Sequence, residues 1–473
     1  MNVNENSNPD AGALASRIDA SCRVPSLILF GGAALWLVVG LLLALLASIK
    51  FHAPDFLANC PLLTYGRIQP AANDAILYGF AIPAALGVML WIFARLSQVE
   101  LVLPLVPVVA ANIWHLGVLI GLAAILTGNS TGFLWLEFPR LASPLLLAAF
   151  LLIAVSAVAT FGQRQERELY PSHWFLLAAL LWFPWIYSTA NLFLIAWPVR
   201  GVAQAVIDWW YTNNLIFVWL ALVGLGIAFY LLPKLGDRPL QSRFYAQFAF
   251  WTLILFGTWL GIPQGAPVPA WLPALSTVAS VLLVIPLIAI AVIFFKTIYG
   301  MKAACKGGPL CYVKFGTVAL LLSILLLIPL GCPHMSRITQ FTWFAQAQVQ
   351  WQIFGFFAIV VLGGFYELIP RVMGFALPFP KFVRLQHWLF MIGALLLLVS
   401  LAVSGIEQGS HDYSFAAALP ALRFSTLGLL FLLLGSLLFA ANIFVMTFKW
   451  KMTLLKLVIS TVKAPLETAE VKS

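Results

Sequence analysis

The chain has 473 residues, 62% hydrophobic and 9% charged, with a formal net charge of +10. Its mean hydropathy of +0.99 excludes a water-soluble globular domain and places most of the chain in a bilayer. The basic excess is spread over short connecting segments without forming a stripe, so it carries no nucleic-acid reading.

Apolar runs of roughly 18 to 28 residues, each able to cross a hydrocarbon core of about 30 Å, begin near residues 27, 74, 104, 141, 172, 213, 242, 271, 312, 344, 383 and 421. They predict an all-α membrane protein of twelve transmembrane helices: a tail over 1–25, a membrane domain over 26–448 and a tail over 449–473. No connection is long enough for a soluble domain. The first 25 residues contain Glu5, Asp10 and Asp19 and lack a basic start with a small-residue cleavage site, so the first span reads as a retained anchor. Most Lys and Arg fall in the tails and the even-numbered connections, among them Lys234, Arg238, Arg243, Lys296, Lys302, Lys306 and Lys314. This asymmetry predicts that both termini are cytoplasmic.

In chain order, Asp74 opens the second span, His115 lies deep in the third, Asp208 precedes the sixth beside Trp209 and Trp210, and Glu367 sits near the end of the tenth before Pro370. An intramembrane acid is a functional candidate by default, but these end positions favour solvation at the interface over proton conduction. The tryptophans are expected mostly as interfacial belts. The other histidines, His52, His173, His334, His387 and His411, lie in connections or near span ends, and no two histidines have ligand spacing. Cys60 and Cys332, both expected outside, are candidates for a disulfide or two thiols at helix ends, whereas Cys22, Cys305 and Cys311 face the reducing side. Cys305 and Cys311 lack ordinary zinc spacing and read as loop residues. Cys332-Pro333-His334-Met335 offers soft copper ligands without a second cluster. Gln346, Gln348, Gln350 and Gln352 alternate along the tenth span, where amides either meet interfacial water or cross-link neighbouring helices. No phosphate loop, nucleophile elbow or zinc-binding helix is present.

Four segments resemble subunit I of the cbb-type heme-copper cytochrome c oxidases. They are Gly66-Arg67-Ile68-Gln69-Pro70 with Asn73-Asp74-Ala75; Trp209 to Asn214 with Tyr230, Pro233, Lys234, Arg238 and Pro239; Phe250-Trp251 with Trp259 and Gly261; and Gln348, Val349 and Gln350 with Tyr366, Pro370 and Arg371. With twelve spans in matching order, the resemblance covers nearly the whole chain. It implies a respiratory scaffold holding two hemes and a copper. Its low-spin heme ligand position in helix 2 falls on Ala72, and its helix 10 ligands to the high-spin and low-spin hemes fall on Gln348 and Gln350. Its copper ligand positions fall on Asn213 in helix 6 and on Pro263 and Gln264 in helix 7. Residues two apart on a helix point about 200° away from each other, so positions 348 and 350 can serve one heme on each face. A neutral amide is a poorer donor to iron or copper than imidazole.

The expectation is therefore a cytochrome c oxidase subunit I-like protein without heme or copper, acting as a structural or accessory subunit of a respiratory complex in a bacterial inner membrane. Its partners would be other membrane subunits, a cytochrome c-type subunit among them. The alternatives are a heme b protein with relocated ligands, for which His115 is the candidate, and a small-molecule transporter using the scaffold's cavity. The Pro-interrupted spans containing Pro83, Pro184 and Pro263 show no clear internal repeat.

Overall fold

The computed structural model describes residues 9–470 except 302, 304 and 306, so Glu5, Lys302 and Lys306 lie outside the described residues. The longer helices are α1 (Pro9–Ile49), α2 (Tyr65–Ser97), α3 (Leu105–Thr127), α4 (Ala142–Gly162), α5 (Pro171–Ala196) and α6 (Val202–Gly236). There follow α7 (Arg243–Gly257), α8 (Trp271–Tyr299), α9 (Pro309–Gly331), α10 (Trp343–Met373), α11 (Pro380–Ser410) and α12 (Phe415–Glu470). Among the described residues, 11 helices are long and apolar enough to cross a membrane. The exception is α7, whose 15 residues end where Gly257, Gly261 at φ 94° and Pro263 break the helix.

Three helices form the centre. The most apolar stretch of α2 is 100% buried and those of α6 and α10 89%, against 44–61% in the others, so the outer helices surround these three. The outer faces expose Leu116, Val155, Leu181, Ile288 and Phe444, a surface suited to lipid. Tryptophans divide in a way the belt expectation does not foresee. Trp197 and Trp271 are exposed, but Trp91, Trp114, Trp135 and Trp219 are fully buried. Three of these indoles find an acceptor: Trp91 donates to Asp19, Trp114 to the Tyr78 carbonyl at 2.7 Å and Trp219 to that of Ala179 at 3.0 Å, while the Trp135 N–H has none.

The helix axes are interrupted by wide π turns at Ala75–Ala81 in α2, Asn191–Ala196 in α5, Asn214–Trp219 in α6 and Trp351–Ala358 in α10. All three central helices therefore carry one.

Two boundaries differ from the sequence expectation. The second helix begins at Tyr65 instead of near 74, because Gly66 to Pro70 is polar yet helical and packs into the bundle. Within the expected tail over 1–25, the described residues from Pro9 onward are also helical. Helix α1 starts at Pro9, and Asp19 is buried where it accepts from Trp91 Nε1 at 2.8 Å and from Arg95 Nε and Nη2 at 2.9 and 2.7 Å. Arg23 donates to the Val372 carbonyl at 2.6 Å, and the Phe379 amide donates to Asn442 at 3.1 Å, so at one end of the bundle α1 meets the last turn of α10 and α12 meets the α10 to α11 connection.

Candidate functional site

At the opposite end, α1, α2, α6, α8 to α12 and the segment after α7 line a partly open cavity of about 710 Å³. Its wall contains Asn213 and Asp208 from α6, Gln346, Gln348 and Gln350 from α10, and Gln69 and Asn73 from α2, with Pro263 between α7 and α8. Phe51, Trp209, Phe217 and Phe354 supply apolar surface. The cavity is thus a mixed apolar and amide-lined space.

The structure brings together four of the six positions that the resemblance assigns to ligands: Asn213, Pro263, Gln348 and Gln350 all face this cavity. Ala72 is fully buried and contributes no polar side-chain atom. Gln264 is turned away, its Nε2 donating to the Pro273 carbonyl at 2.7 Å and to Thr277 Oγ1. The expectation that Pro263 and Gln264 sit on helix 7 is corrected here: both lie beyond its last residue.

Asn213 donates from Nδ2 to the Gly257 carbonyl at 2.9 Å, which leaves its Oδ1 without a hydrogen-bond partner. Gly261 approaches so closely that an added Cβ would lie 2.7 Å from the Asn213 Cβ. Gln348 is buried with an unpartnered Nε2. Gln352 shows the cross-linking role expected of this row of amides, since Ser323 Oγ on α9 donates to its Oε1 at 2.6 Å and both residues are buried. Ser323→Ala is expected to lower stability by about 1 kcal/mol in chemical unfolding of the detergent-solubilised protein. An unchanged midpoint would show that this bond contributes nothing.

The remaining singled-out residues lie elsewhere. His115 packs against Gly32 between α3 and α1, its Nε2 2.2 Å from where a Cβ on that glycine would stand. His387 packs on Tyr312 with ring centroids 4.7 Å apart, and His173 accepts from the Tyr170 amide at 3.2 Å. Glu367 pairs with Arg371 at 2.6 Å. Cys60 and Cys332 are free, while Cys305 and Cys311, read as loop residues from the sequence, are joined as a disulfide with Cys311 in the first turn of α9. No group of three or more His, Cys, Asp or Glu placed to hold a metal occurs among the described residues.

Asp74 departs furthest from its expected interfacial position, being wholly buried in α2. It meets Glu137, a residue that sequence reasoning missed, within hydrogen-bonding reach. Glu137 belongs to the connection 128–141, which folds into the bundle with Trp135, Leu136 and Phe138 buried. Burial pushes its carboxyl up to about 7, its bond to Asp74 partly opposing the rise. A lone acid within the apolar run Trp135-Leu136-Glu137-Phe138-Pro139 is the signal that could have found it.

Compared with known proteins, residues 25–419 match the family described as Cytochrome C and Quinol oxidase polypeptide I. The chain belongs to that family. Among curated relatives it is 24% identical over 442 residues to the cbb3-type cytochrome c oxidase subunit CcoN1 of Stutzerimonas stutzeri, covering 88% of this chain and 92% of that one. It is 23% identical over 441 residues to a cytochrome c oxidase subunit 1 homolog of Azorhizobium caulinodans, covering 87% and 80%. Its fold is similar to that of a heme-copper terminal oxidase solved as a dimer, with a TM-score of 0.71, 12% identity, and coverage of 89% of this chain and 84% of that one. It is an integral membrane protein of the heme-copper oxidase scaffold. Whether heme and copper fit depends on the donors that face the cavity. Among the described residues those donors are amides, hydroxyls and one carboxylate, and no histidine lines the wall. This set does not fit imidazole-ligated heme or a histidine copper site.

Proposed function

We propose that the chain is a subunit I-like protein without heme or copper, serving as a non-catalytic structural or accessory subunit of a respiratory membrane complex. One observation carries this reading: the cavity onto which Asn213, Pro263, Gln348 and Gln350 converge is lined without a single imidazole. Shared fold does not transmit the reaction.

The reading places the protein in a bacterial inner membrane with α7 as a twelfth crossing. In its support, Arg243 at one end of α7 pairs with Glu168 at 2.8 Å, while Gly257 at the other end accepts from Asn213 beside the cavity. An even number of crossings returns both termini to one side, which the basic connections assign to the cytoplasm. The expected partners are membrane subunits of the complex, including a cytochrome c-type subunit.

The test is the absorption spectrum of purified full-length protein, oxidised and dithionite-reduced, with copper quantified on the same sample. A colourless, copper-free protein is the expected result. A Soret band with near-stoichiometric heme overturns it, and loss of that band in His115→Ala would establish heme b on a relocated ligand instead. The size of the cavity favours a second reading, a small-molecule transporter. That reading requires a thiol reagent to reach Gln348→Cys from both sides of the membrane in turn, and labelling from one side alone would reject it.

A further inference from the structure

We infer that Asp74 and Glu137 hold one proton between them, forming a buried proton-binding site beside the wall of the cavity. The geometry leaves few alternatives. Asp74 is fully buried and Glu137 is 4% exposed, and neither oxygen of Asp74 nor Oε2 of Glu137 meets a hydrogen-bond donor from the rest of the chain. The two carboxyls nevertheless approach within hydrogen-bonding reach. Two ionised carboxylates in contact, away from water, repel strongly, and one bridging proton converts the repulsion into a hydrogen bond.

The surrounding groups satisfy the pair only in part: the Trp135 and Glu137 backbone amides bond to the Glu137 carboxyl, while no donor reaches Asp74. Tyr78 lies one turn along α2 from Asp74, but its hydroxyl donates to the Trp135 carbonyl at 2.6 Å and is bonded to Tyr211 on α6, so its own proton is committed. Tyr187 on α5 is the third phenol facing the pair. Asp208 on α6 adds negative charge near Glu137 and so favours retention of the proton. No cationic group is among the influences acting on either acid.

Asp208 and Asn73, the neighbours of Glu137 and Asp74 respectively, both line the cavity. The pair thus lies directly behind the cavity wall, without lining it. The shared proton is independent of whether heme and copper have been lost.

Infrared spectroscopy of the full-length protein in nanodiscs, with labelled aspartate and glutamate carboxyls to assign the bands, tests it directly. At neutral pH the wild-type protein should show a protonated-carboxyl C=O stretch that shifts in D2O. Each of Asp74→Asn and Glu137→Gln should move or remove the band, and the double variant should lack it. A band unchanged in either single variant, or lost only in Asp208→Asn, overturns the sharing. So does the absence of any such band in the wild type, the result expected of two ionised acids around a bound cation. The wild-type spectrum alone can refute the inference, so it remains testable even if a variant fails to fold.

Discussion

Asp19→Ala is expected to lower the stability of the solubilised protein by about 3 to 5 kcal/mol, the range for removing one partner of a buried ion pair. Both side chains of the Asp19 and Arg95 pair are only 8% exposed, and the carboxylate accepts two hydrogen bonds from the guanidinium and one from Trp91. Removing it takes the ion-pair partner from a buried guanidinium beside the Trp91 ring, whose centroid is 5.7 Å from the guanidinium carbon. The cost comes mainly from burying a guanidinium without this carboxylate and much less from the net worth of the pair. Neutralising both sides, as in Asp19→Leu with Arg95→Met, should therefore recover part of the loss. Thermal unfolding monitored by tryptophan fluorescence measures this. A single variant that melts like the wild type would mean that water reaches this end of the bundle.

The second large effect concerns α11. Gly405 and Gly409 lie one turn apart and let the chain from Ile338 to Phe344 settle directly on the helix backbone. A Cβ on Gly405 would lie 2.1 Å from the Phe344 amide nitrogen, and one on Gly409 would lie 2.0 Å from the Ile338 carbonyl oxygen. Both obstacles are main chain, so no rotamer change relieves them. Gly405→Ala and Gly409→Ala are each expected to cost about 3 kcal/mol, at the upper end for overpacking. They should also displace the start of α10, because the Trp343 amide bonds to Gln408 of α11 at 3.2 Å. Gly31→Ala provides the control, since nothing lies within 4 Å of its added methyl. Equal unfolding midpoints for Gly405→Ala and Gly31→Ala would disprove the contact.

The architecture was legible because lipid-facing helices advertise themselves: an unbroken apolar stretch such as Leu145 to Val155 needs no tertiary context to be read as part of a span. The misreadings fall where polar residues face inward. Gln69, Asn73 and Asp74 look like an aqueous helix entry, yet they line or adjoin a cavity, so polarity marks the site and not the membrane boundary. The apolar pattern also over-extends α7, because Leu260 and Ile262 continue its run past Gly257, where the backbone has already left the helix. In the candidate site, residue matching identifies Asn213, Pro263, Gln348 and Gln350, and the fold gathers them. It could not reveal that Gln264 turns towards α8, nor that a connection outside the spans returns Glu137 to the bundle. Both depend on chain paths that no helical period encodes.

The π turns of α2, α6 and α10 bear on how such a chain can change over time. A wide turn holds one extra residue, and restoring a regular helix would rotate everything beyond it by about 100° and draw it in by about 1.5 Å. Beyond the turn in α10, Phe365 is wedged against Phe30 and Phe439 at centroid distances of 4.9 and 4.8 Å, and Gly364 fits beneath Val88. Those contacts exist only in the shifted register. Deleting the extra residue would scramble half a helix at once, so the turn is locked in by residues far from the cavity, whatever that cavity now holds. Point substitutions at positions 348 and 350 face no such barrier. Chemistry at the wall can change one side chain at a time, while the backbone that frames it cannot follow by gradual steps.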